Sequence, residues 1–180
     1  MDRRTFIGGA AACVGGLCFN GGFVWAETFL TVEQAQKILW GADVALTPIS
    51  VTLTKQQIRA ISDAAKVRVR DSEIKAWKTA EGGWFILDQV IGKHENIDLA
   101  VAITADGKVK GLEILTYRET YGDEIRNPKW RAQFHGRGTG EHLDLNKNIR
   151  NISGATLSCS HVTDGINRLL HTWDLVLRKL

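Results

Sequence analysis

The apolar side chains of this chain recur at one period near its ends and at another through its middle, and that switch limits the possible folds most. From about residue 67 to residue 117 the spacing is that of half-buried strands, every second position. Val67 and Val69 alternate with Arg68 and Arg70, and Ile74, Ala76 and Trp77 continue in extended form. Gly82 and Gly83 punctuate the run before Trp84, Phe85, Ile86 and Leu87, and residues 97–103 form the next apolar segment. Ala105-Asp106-Gly107 is a hairpin signal that joins this segment to a partner over residues 109–117. No helical pattern lies between these strands, so they pair as an antiparallel meander rather than through βαβ crossovers.

Helical spacing brackets the meander. Thr31-Val32-Glu33-Gln34 and Thr54-Lys55-Gln56-Gln57 both read as capping boxes. They open helices to about Trp40 and Ala65, the first with Val32, Ala35, Ile38 and Leu39 on one side; Pro48 breaks the segment between them. Val162, Ile166, Leu169, Leu170, Trp173 and Val176 mark a last amphipathic helix, in which Gly165 points to close packing. The expected fold is α+β: an antiparallel-rich sheet of about five strands with helices at the N- and C-terminal ends. Residues 27–180 are expected to form one domain.

The first 26 residues have another character. Arg3-Arg4-Thr5-Phe6-Ile7 leads into an uncharged stretch rich in Gly and Ala, and Val24-Trp25-Ala26 places small residues where a signal peptidase reads. Residues 1–26 therefore read as an export signal of the twin-arginine type, although Asp2 stands where Ser or Thr is usual. Its glycines disfavour the alternative, a retained membrane anchor. The expected location is the periplasm. Of three cysteines, Cys13 and Cys18 lie in the signal, so Cys159 alone remains, with no disulfide and no Cys-x-x-Cys-His for haem. His135, His142 and His161 form no pair at ligand spacing, so no metal is expected. A net charge of +3, evenly spread, argues against a nucleic-acid partner.

Two segments remain that neither period explains. Residues 118–149 are polar and glycine-punctuated but retain aromatic side chains, as a packed functional loop does. Ser153-Gly154-Ala155-Thr156-Leu157-Ser158 crowds small and hydroxylated residues against the last helix. Its hydroxyls can be ordinary helix caps. Alternatively, the unpaired N–H groups of the helix start prepare a phosphate site with Thr156 beside it. Cys159 reads as a reactive thiol or a small buried filler. Neither Ser153 nor Ser158 stands in a Gly-x-Ser-x-Gly elbow.

The hexapeptide resembles the flavinylation motif of the FMN-binding domain family, which includes the covalent-FMN subunits of sodium-pumping NADH:quinone reductase and of Rnf-type complexes. Glu119-Thr120-Tyr121-Gly122 is similar to that family's Glu-Thr-Pro-Gly loop, with Tyr121 in place of proline. Trp130-Arg131-Ala132-Gln133-Phe134-His135-Gly136 resembles its Gln-Phe-x-Gly segment. Arg150 departs from the pattern, since the family often carries an acid there, and Asn148 likewise stands where an acid is expected. The resemblance implies FMN joined by a phosphoester to Thr156, attached by a flavin transferase that uses FAD and magnesium. Ser153, Gly154, Ala155, Leu157 and Ser158 would surround the attachment. Glu119, Thr120, Tyr121 and Gly122 would supply backbone donors, and Tyr117, Tyr121, Trp130 and Phe134 the ring walls. It implies an electron carrier between membrane and periplasmic redox partners, without catalytic residues of its own. A non-covalent FMN binder of the same fold and a flavin-free periplasmic binding or sensor module are the alternatives.

Overall fold

The structure is a computed structural model and describes residues 27–119 and 121–180. The export signal over residues 1–26 and Thr120 lie outside the described residues. The sheet holds five full strands and one two-residue strand, all antiparallel, in the order β1-β6-β5-β4-β3-β2. These are β1 (Glu27–Thr28), β2 (Leu46–Thr52), β3 (Glu73–Thr79), β4 (Trp84–Ile91), β5 (Asn96–Ile103) and β6 (Val109–Tyr117). The helices are α1 (Val32–Trp40), α2 (Lys55–Ala65), the single turn α3 (Pro128–Arg131) and α4 (Thr156–Leu175). The fold is α+β, as the period switch requires.

Both faces of the sheet are covered. Trp84, Ile86 and Val90 of β4 and Ile97, Leu99, Val101 and Ile103 of β5 face α2 and α4. The alternate residues Phe85, Ala100 and Ala102 pack under Ala35 and Leu39 of α1. Asp88 interrupts the α4-facing row, and Arg168 of α4 meets it at 2.5 Å. Burial pushes the Asp88 carboxyl above its ordinary range, against the pull of that guanidinium. Gly165 allows the close approach of helix and sheet, since a Cβ there would lie 2.8 Å from Val90.

Both capping boxes form, with Thr31 and Thr54 accepting from the N–H of Gln34 and Gln57 at 3.2 Å and the glutamines returning 2.8 Å bonds. Three expectations need correction. The segment around Pro48 is a strand: among the described residues β2 pairs only with β3, and an edge strand tolerates a proline that lacks an N–H. Residues 67–71 are not a strand, because β2 and β3 already pair and the Val69 N–H donates to Ser62 of α2 instead, at 3.1 Å. Ile38 is exposed rather than on the buried side of α1. No helix among the described residues is long and apolar enough to cross a membrane.

Candidate functional site around the start of α4

Between β6 and α4 the chain makes no strand, yet it is tightly held. Asn167, buried on α4, clamps this loop at Leu143 by accepting from its N–H (3.0 Å) and donating to its C=O (2.8 Å). Trp130 and Phe134 meet edge to face, ring centroids 5.2 Å apart, and both are buried in the core beneath α4. Trp130 Nε1 donates to the Arg150 carbonyl at 2.7 Å, while the Arg150 N–H donates to Gln133 Oε1 at 2.8 Å. Two residues of the loop thus hold the main chain of Arg150 from both sides. The chain then runs through Asn151 into the small-residue turn.

That turn does not cap the helix in the expected way. Ala155 occupies the cap position, and among the described residues no side chain bonds the first N–H groups of α4. The capping reading of the hydroxyls is therefore overturned. Thr156 is instead the first helical residue, exposed, with Oγ accepting a hydrogen bond from Asn151 Nδ2 at 2.9 Å. Gly154 has φ +90°, a conformation that glycine adopts without strain, and a Cβ there would meet nothing within 4 Å. Ser153 and Leu157 are exposed; Ala155 and Ser158 are buried.

The loop of Glu119, Tyr121 and Gly122 is pinned to this turn through Tyr117, the last residue of β6. The phenol donates to the Tyr121 carbonyl at 2.5 Å. Its one proton is committed there, so Ser158 donates to the phenol oxygen at 3.0 Å. Burial pushes the Tyr117 pKa up, and the nearby acids Glu119, Asp123 and Glu124 add to the rise. Gly122 has φ +100° and sits against both partners of that bond: a Cβ would lie 2.5 Å from the Tyr117 hydroxyl and 3.1 Å from Ser158 Oγ. Tyr121 itself is 82% exposed and Leu157 48% exposed, so both lie open beside the helix start. Of the four aromatic wall candidates, Tyr121 alone is open to solvent; Tyr117, Trp130 and Phe134 are buried.

Glu119 turns the other way. Its carboxylate accepts from the N–H groups of His94 and Glu95, and so organises the turn between β4 and β5. Partial burial raises its pKa, but the backbone donors of residues 93–95 outweigh that effect and leave it lowered. A depressed carboxylate stabilises the fold above its unfolded pKa and loses that contribution as pH falls through the folded value. Urea midpoints of wild type and Glu119→Gln are accordingly expected to differ at pH 7 and to converge in acid.

Cys159 is buried and burial pushes its thiol up, which disfavours the thiolate. Among the described residues no three His, Cys, Asp or Glu side chains gather as a metal site. Sequence reasoning missed Gln133 and Asn151 as parts of the site. Only the position of Gln133 inside the Gln-Phe-x-Gly segment could have marked it, and nothing marked Asn151.

The chemistry of this site is that of an anion anchor. An α-helix of 20 residues presents uncapped N–H groups and its positive end where an exposed hydroxyl stands. The neighbouring backbone carries no obstructing side chain, and the Asn151 Oδ1 is buried without a partner among the described residues. These features suit a phosphate ester bearing hydroxyl groups. Residues 92–171, which include β5, β6, the loop and most of α4, match the model of the FMN-binding domain family. The chain is also 27% identical over 136 residues to a component of a proton-translocating ferredoxin:NAD(+) oxidoreductase complex from Clostridium ljungdahlii, an alignment covering 65% of this chain and 74% of that protein. From Gly92 to His171, then, this chain matches the FMN-binding domain family through two strands of its sheet, its loop and most of α4.

Proposed function

We propose that this chain is an exported electron carrier that holds FMN through a phosphoester to Thr156. The observation that carries the reading is the exposed Thr156 hydroxyl at an uncapped helix start, inside the segment that matches this family. The N–H groups at the start of α4 hold the phosphate, and the helix dipole favours its charge. Ser153, Gly154 and Ala155 leave the approach open. Tyr121 and Leu157 supply apolar surface for the ring, and the Tyr117–Ser158 bond keeps the Tyr121–Gly122 backbone against α4. FMN, when bound, supplies one- and two-electron redox chemistry, and the protein supplies position and electrostatics.

The Clostridium relative is, by its name, one part of an oxidoreductase complex. Membrane or periplasmic redox proteins are accordingly the partners proposed here, with a flavin transferase for attachment. Residues 1–26 are proposed as a twin-arginine export signal, residues 27–180 as the single mature domain, and the periplasm as its location. Such a carrier needs no substrate of its own.

Intact mass after production with a flavin transferase tests the covalent claim. The expected gain is the mass of FMN less water; an unmodified chain would sink it. Arg150 favours a second reading, FMN held without a covalent bond, because its exposed side chain offers a cation for a phosphate. In that case denaturation and filtration would release all the yellow colour.

A further inference from the structure

Asn151 stands five residues ahead of Thr156, and the two side chains meet. Its Nδ2 donates to Thr156 Oγ at 2.9 Å. Its Oδ1 is shielded from solvent and has no hydrogen-bond partner among the described residues. Turning the amide over would let Oδ1 accept the Thr156 O–H, but would put the NH2 in the same unpartnered place. One end of this amide is thus left over in either orientation, which is destabilising for a shielded polar atom. A group that brought a donor or acceptor there would offset that loss.

We propose that Asn151 is the positioning residue for flavin attachment, aiming the Thr156 hydroxyl and then holding the linked ribityl phosphate. The proposal rests on Thr156 being the acceptor. In the attachment step Thr156 Oγ bonds to the flavin-side phosphorus of FAD as the bond from that phosphorus to the AMP phosphate breaks. AMP leaves with the electron pair, the Oγ proton passes to solvent, and no oxidation state changes. Before the step, the bond from Nδ2 fixes the rotamer of Thr156 and leaves the outer lone pair free to attack. As charge builds on the phosphoryl oxygens, the same N–H is an adjacent donor to them, a charge-assisted bond stronger than the one it replaces. A turn of the side chain that follows the phosphate brings Oδ1, shielded in the unmodified chain, out to accept from a ribityl hydroxyl. The N–H and C=O of one amide then match a polyol phosphate, which offers acceptors at one end and donors along its length.

The test follows mass gain with time, using the full chain, flavin transferase, FAD and magnesium, for wild type, Asn151→Leu and Asn151→Asp. Asn151→Leu is expected to slow attachment by about tenfold or more, as loss of one charge-assisted bond in the transition state implies, with the urea midpoint little changed. Asn151→Asp replaces the donor by a carboxylate beside the phosphate. Its rate relative to wild type is expected to rise as pH falls, because the protonated acid donates again; a merely structural role would leave that ratio flat. A wild-type rate in Asn151→Leu, or a flat ratio in Asn151→Asp, overturns the proposal while Thr156 remains the acceptor. A wild-type chain that gains no mass overturns the Thr156 reading and this one with it.

Discussion

Thr156→Ala is expected to carry no covalent flavin at all, while remaining folded. The two halves of that result have separate causes. The hydroxyl is the proposed bonding atom, so its removal is all-or-none for the adduct. Stability changes little because the side chain caps nothing: Ala155 is at the cap position, and among the described residues no side chain serves the helix start. Alanine is the best helix former, so the first turn does not suffer. What is lost is the bond from Asn151, about 0.5–1.5 kcal/mol. Thr156→Ser keeps the nucleophile but frees its χ1 rotation, and is expected to be modified more slowly than wild type. Denaturing mass spectrometry and urea unfolding on the same preparations separate attachment from folding. An adduct that persists in Thr156→Ala would move the attachment elsewhere.

Gly122→Ala is expected to cost about 2–4 kcal/mol and to slow attachment as well, since strain and a displaced hydrogen-bond pair act together. At φ +100° an L side chain is already disfavoured, and the new Cβ would stand 2.5 Å from the Tyr117 hydroxyl. That hydroxyl cannot retreat without breaking its bonds to Tyr121 and Ser158. Gly154→Ala is the control, because its φ of +90° imposes comparable backbone strain with nothing within 4 Å of the added carbon. Urea midpoints are expected to fall further for Gly122→Ala than for Gly154→Ala. Equal losses would mean that the Tyr117 contact contributes nothing beyond backbone strain.

Local chemistry made much of the fold legible. Each capping box is written within four consecutive residues, so α1 and α2 could be bounded before any packing was known. Over β4 to β6 the signal was a near-continuous apolar run, as strands covered on both faces give. The missed strand β2 has a different cause. Pro48 forbids a central strand but not an edge, and only the assembled sheet decides which strand is outermost. Val67 and Val69 alternate like a strand, but alternation cannot disclose that the neighbouring positions in the sheet are taken. At the site, the small-residue turn before α4 was visible because glycine, alanine and hydroxyl side chains are rare together. Asn151 and Gln133 were not visible, since one polar residue in a loop has no period and gains meaning from what it touches. Trp130 and Phe134 show the same limit from the other side: an aromatic in a loop motif says nothing of which way it is buried.

The grip on Arg150 is on its main chain alone, by Trp130 and Gln133, and its side chain stays exposed. Position 150 is therefore a place where charge can be exchanged without disturbing the fold. A cation there, in place of an acid, changes the potential felt beside Thr156 by an amount that salt can screen. On the proposed function, position 150 is thus a dial for redox poise that is mechanically uncoupled from the scaffold.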